Sequence, residues 1–173
     1  DSVGAIALAS LVVTANAANI AGNISATAGV SFAGTEQVNL DAANVVITAG
    51  GAIFFATDSI VSSDNDGDNA GEFSLTLIAG ADITINDAVV DGFDASDAGA
   101  DTINLFGTIS AQDPITLGAN TVFLGDDAAL HNDEGGGGGI TTEIETTQKI
   151  ENVLLPRIWA KPLQVKDRAG LHV

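Results

Sequence analysis

The chain has 173 residues, a formal charge of −18 and no Cys, Met or Tyr. Residues 1–139 hold 19 acids and no Lys or Arg, whereas residues 140–173 hold five basic residues against four acids. Such an acidic field repels phosphate backbones and anionic lipid heads, which argues against nucleic-acid partners and favours cations and basic partners; membrane insertion is not expected either, as no apolar run reaches the ~18 residues of a spanning helix.

In chain order, the opening VGAIALASLVVTANA, Val3 to Ala17, has the apolar and small-residue character of the end of a secretory signal. It carries no basic leader, so a first pair of strands in a processed chain or a fragment is the simpler reading. Beyond it the composition is rich in Ala, Gly, Asn, Asp, Thr, Val and Ile. β-branched residues pack well on pleated surfaces, and Gly, Asn and Asp suit tight turns, so short strands are expected throughout.

Four stretches align: NISATAGVSF from Asn23, NVVITAGGAIFF from Asn44, SLTLIAGADITI from Ser74 and TINLFGTIS from Thr102. Each has apolar residues at i and i+2, a small turn element, and a second apolar pair. Their starts, taken at Ile24, Val45, Leu75 and Ile103, recur unevenly, at intervals within the repeat lengths that solenoids use. A second echo, Asp58-Ser-Ile-Val, Asp87-Ala-Val-Val and Asp113-Pro-Ile-Thr, gives each unit at least two extended arcs. The extra length is polar: SSDNDGDNAGE from Ser62 to Glu72, and DGFDASDAGAD from Asp91 to Asp101. Alternation of period two, a turn at fixed phase and insertions at one corner predict a β-solenoid, a parallel β-helix of irregular coils. An antiparallel β-sandwich shares the short strands but gives no reason for the repeated phase.

The units NVVITAGGAIFF, SLTLIAGADITI and ISAQDPITLGANTVFL, within about residues 20–130, resemble the coils of filamentous-haemagglutinin-like adhesins and related large bacterial surface β-solenoids. The resemblance implies a secreted or cell-surface rod that holds adhesive elements away from the cell, with host or cell-surface glycans among its conceivable partners. The variable coil length and the segment after the glycines depart from that pattern.

Asp64, Asp66, Asp68 and Glu72 crowd into one loop. Ca²⁺ takes six to eight oxygens, so a carboxylate-rich loop containing Gly is chemically apt, although its spacing misses the EF-hand pattern by one residue; the alternative is a loop kept soluble by its charge. Asp91, Asp94, Asp97 and Asp101 pose the same question. Asp113, Asp126 and Asp127 with His131 are the nearest approach to a glycosidase cluster. No Lys or Arg precedes Lys149 and the one Trp is Trp159, so the body lacks groups to bind an acidic sugar or stack on a sugar ring, and the chain is not read as an enzyme. Two His and no Cys leave no usual zinc site, and no cofactor is required beyond an optional Ca²⁺.

The division expected is an acidic solenoid over 1–134, a glycine linker over 135–139 and a basic extended tail over 140–173. The linker lacks the Lys-Ser/Thr of a phosphate loop and reads as a connector. The tail either caps its own last coil, or crosses to a neighbouring copy and adds strands there, or begins a further region. The favoured reading is the second: a structural subunit of an extracellular filament that polymerises head to tail, with Leu154, Leu155, Arg157, Ile158, Trp159, Lys161, Leu163 and Val165 as the assembly interface. The alternatives are a stalk fragment of a large adhesin and a polysaccharide-active β-helix.

Overall fold

A computed structural model describes residues 8–41, 43–64, 71–97, 101–132, 140–144 and 164–167. Every regular element among them is a β-strand, and the strands form three sheets that the chain visits in rotation. The first sheet contains β1 (Leu11–Val12), β4 (Val30–Phe32), β7 (Ile53–Phe55), β10 (Ile83–Ile85), β13 (Thr102–Leu105) and β16 (Thr121–Leu124). The second contains β2 (Ala17–Ile20), β5 (Gln37–Leu40), β8 (Ile60–Ser62), β11 (Asp87–Val90), β14 (Thr108–Ala111) and β17 (Ala129–Asn132). The third contains β3 (Ile24–Ala26), β6 (Val45–Ala49), β9 (Leu75–Ala79), β12 (Phe93–Asp97), β15 (Ile115–Ala119), β18 (Ile140–Ile144) and β19 (Gln164–Asp167).

All the pairings are parallel, each strand lying on the equivalent strand of the turn before it. This is the β-solenoid, and five steps from β1 to β16 make five turns. A sandwich of antiparallel strands is excluded by that pairing. In the first sheet Leu11 pairs with Val30, Val30 with Ile53, Ile53 with Ile83, Ile83 with Ile103 and Ile103 with Val122. Most turns therefore close in roughly twenty residues, at the short end of the range for stacked repeats. The longest turn, from Ile53 to Ile83, is the one that carries Ser62–Glu72.

Alternation puts one residue in two inward, and parallel register stacks like on like. Val45, Leu75, Phe93 and Ile115 form one ladder in the third sheet, and Val30, Ile53, Ile83 and Ile103 form another in the first. All eight side chains are buried. Phe32 stacks on Phe55 one turn above, with ring centroids 5.0 Å apart and 5° between planes. No single turn could hide these side chains; each is covered by its neighbours above and below.

The recurrent Ala-Gly after β6 and β9 also has a physical cause. A Cβ on Gly50 would run into the Thr27 carbonyl below, and one on Gly80 into the Gly50 carbonyl. Successive backbones approach at this corner too closely for any other residue.

Three sequence expectations need correction. TINLFGTIS does not occupy the place of SLTLIAGADITI: Thr102–Leu105 pairs with β10 in the first sheet, whereas Ser74–Ile85 spans the third sheet and the first. Likewise Asp58 and Asp87 precede and begin second-sheet strands, but Asp113 precedes β15 in the third. Each turn has three arcs, in keeping with the expected minimum of two, and every arc obeys the same inward alternation, so one-dimensional alignment slips from one sheet to another. Within Asp91–Asp101, the described residues 93–97 are not a loop either. They form β12, with Phe93 and Ala95 buried against Leu75 and Leu77.

Backbone pairing continues into the tail. Ile140 lies opposite Ile115, and Thr142 opposite Val165, so β18 and β19 extend the third sheet of their own chain.

Candidate functional site

Corner lengths between the first and second sheets vary from turn to turn. Ala56–Ser59 link β7 to β8, Asn86 alone links β10 to β11, Phe106 and Gly107 link β13 to β14, and Gly125–Ala128 link β16 to β17. Two flush corners thus lie between two protruding ones. Three strand steps of ~4.8 Å separate the protruding corners, leaving a groove about 14 Å across. Its volume is about 490 Å³, and it is lined by Thr57, Asp58, Asn86, Asp87, Phe106, Gly107, Thr108, Asp126 and Asp127.

The floor is braced. Asp87 Oδ1 accepts the Thr108 backbone N–H at 2.6 Å and Oδ2 accepts from Asn86 Nδ2 at 3.0 Å. Gly107 is required beside it, since a Cβ there would strike that carboxylate. Asp87 is therefore a structural acceptor that ties one turn to the next. The Asp82 carboxylate serves Thr102 N–H in the same way at 3.0 Å, and the Asn23 and Asn44 amide oxygens serve Val46 and Ser74.

The walls face solvent. Asp58 lies on one side and Asp126 and Asp127 on the other, all exposed. Phe106, 40% exposed, sits in the groove and packs against Phe123 with centroids 5.8 Å apart and planes tilted by 58°. Among the described residues no three His, Cys, Asp or Glu side chains converge as a metal site. Negative charge spread over two walls, with an aromatic face between them, suits an extended ligand bearing several cationic groups.

The residues singled out from the sequence fall in several places. Asp64 and Glu72 flank the neck of the long loop, while Asp66 and Asp68 lie outside the described residues. Buried Ser63 closes that neck: its Oγ donates to the Phe73 carbonyl at 3.0 Å and accepts the Phe73 N–H at 3.1 Å, and its carbonyl accepts Glu72 N–H at 3.3 Å. Of the assembly residues, Val165 lies in β19, and Leu154, Leu155, Arg157, Ile158, Trp159, Lys161 and Leu163 lie outside the described residues.

The glycosidase-like cluster is divided. Asp126 and Asp127 precede β17, whereas the Asp113 backbone carbonyl is held at 2.7 Å by Asn132, the last residue of that strand. The length of β17, roughly 13 Å at the usual rise per residue, separates the two corners. His131 lies on β17, opposite Ser110.

Thr57, Asp58, Asn86 and Asp87 are not identifiable from sequence as parts of one surface. The available signal is the echo of Asp58 in Asp87, which marks stacked corners as well as strand starts. No family model, no curated protein and no solved structure matches this chain.

Proposed function

We propose that this protein is a structural, non-enzymatic subunit of an extracellular or cell-surface filament, joined to its neighbours through the C-terminal tail. The observation that carries the proposal is the pairing of a continuous parallel solenoid with a separation of charge. Every Lys and Arg lies at or beyond Lys149, and the stacked body below is acidic. A solenoid is a rod by construction, and head-to-tail contacts that do not close on themselves propagate it into a fibre. β18 and β19 continue the third sheet beyond β15, so the described strands of the tail lie at the C-terminal end of the stack, which supports a tail that is available for contact with another copy.

The test compares the full chain with a chain ending at Glu134, by negative-stain microscopy and sedimentation. Filaments from the first and monomers from the second are expected. If both stay monomeric and folded, the tail has no assembly role and the reading as an adhesin stalk, with a cell-surface glycan as its target, takes precedence.

Ca²⁺ in the Ser62–Glu72 loop is a subsidiary proposal. It is supported by the Ser63 neck, which fixes Asp64 and Glu72 at the mouth of the loop. A melting temperature that rises with Ca²⁺, and no longer does so in Asp66→Ala, is expected.

A further inference from the structure

We infer that the groove between the first and second sheets is the receptor for the tail of a second copy, specifically for its cationic stretch from Lys149 to Lys161; this rests on the filament reading above. Three independent features converge on it.

The first is shape. Flush corners at Asn86 and Gly107 between raised corners at Asp58 and Asp126 leave a trough running along the strand direction. It is wide enough for one extended chain and its side chains, not for a folded domain. The low floor is fixed by chemistry, because Asp87 is tied to Thr108 and Asn86 and excludes a side chain at position 107.

The second is charge. Acidic walls face each other across the trough, on a body whose sequence contains no Lys or Arg. Among the described residues the acids do not converge on a point where a single metal ion would sit. Lys149, Arg157 and Lys161 stand an even number of positions apart, so in an extended segment they project from one side and would meet the acidic surface together.

The third is the apolar patch. Phe106 and Phe123 keep about two-fifths of their surface in solvent beside the acids. The segment RIWAK, Arg157 to Lys161, combines two cations with an Ile-Trp pair. A guanidinium or indole against a Phe face adds to the charge attraction.

The experiment is a charge exchange on the full chain. In one variant the exposed walls are reversed, Asp58→Lys with Asp126→Lys, leaving Asp87 and its bonds untouched. In the other the tail is reversed, Arg157→Glu with Lys161→Glu. Sedimentation and microscopy are read for each variant and for an equimolar mixture, with circular dichroism to confirm the fold. Each variant alone should lose at least tenfold in assembly, and the mixture should recover filaments, because each reversed groove then meets a tail of opposite sign. A wall-reversed variant that polymerises like the native chain would sink the docking site while leaving the filament intact. The docking site is equally lost if the two variants fail to rescue one another, as they would if each tail lay on its own chain. A native chain that forms no filaments removes the filament reading and this inference with it. Milder changes, Asp58→Asn with Asp126→Asn, repeat the measurement should the reversed walls perturb folding.

Discussion

At the residue scale, inward ladders and tight corners respond differently to substitution. Leu77 is fully buried between Ile47 and Ala95 of the adjoining turns, so Leu77→Ala leaves a cavity that rigid neighbours cannot fill. A loss of about 2–5 kcal/mol is expected by denaturant titration. Two glycines make a matched pair: a Cβ at Gly107 meets the Asp87 carboxylate, and one at Gly118 meets nothing within 4 Å. Gly107→Ala should therefore destabilise by about 1–3 kcal/mol through overpacking, and Gly118→Ala should be neutral or stabilise by up to about 1 kcal/mol. Equal effects at the two sites would contradict the described floor. Ser59 offers the opposite case. Its Oγ is buried and has no hydrogen-bond partner among the described residues, so Ser59→Ala should leave stability unchanged or raise it slightly.

At the element scale, the parallel ladder forbids proline in its interior and tolerates change at its corners. Thr76 lies in β9, paired on one side to Val46 and on the other to Asp94, so it belongs to a strand with partners on both edges. Thr76→Pro removes a ladder N–H from the middle of the stack, and a loss of ~3 kcal/mol or more, with loss of the cooperative transition, is expected by thermal circular dichroism. The long turn should behave otherwise. Ser63 and Phe73 close its neck by two side-chain hydrogen bonds, so replacing residues 65–70 with two glycines should move the melting temperature by only a few degrees, since loop closure costs little more for a longer loop. A collapse of the fold on that deletion would show that the loop contributes more than connection.

At the scale of the whole molecule, charge separation makes assembly sensitive to salt where folding is not. The core from Ile20 to Leu130 is apolar and continuous, so raising salt from about 0.05 to about 1 M should leave the β-sheet spectrum intact. Contacts between a basic tail and an acidic body weaken over the same range, as the screening length shrinks to about 3 Å. Filament mass in sedimentation should fall with salt while circular dichroism stays constant; parallel loss of both would tie assembly to folding and not to charge.

Much of this organisation is legible in the sequence alone. Period-two alternation at Val45-Ile47, Leu75-Leu77 and Ile83-Ile85 specifies which side chains point inward, because strand geometry offers only two faces and burial chooses the apolar one. The Ala-Gly phase and the site of the Ser62–Glu72 insertion are visible for the same local reason. Which arc lies on which is decided only by the tertiary structure. TINLFGTIS and SLTLIAGADITI satisfy the same alternation although they begin on different sheets, and Phe93 reads as part of a polar loop until its place on Leu75 is seen. The groove belongs to that second kind of information. Asp58, Asp87 and Asp126 are far apart in the chain, and only the stacking of corners of unequal length brings them onto one surface. Inward or outward is settled by each residue's own neighbours in the chain, whereas adjacency between turns depends on how many residues each turn takes to close, and that is fixed only when the turns pack.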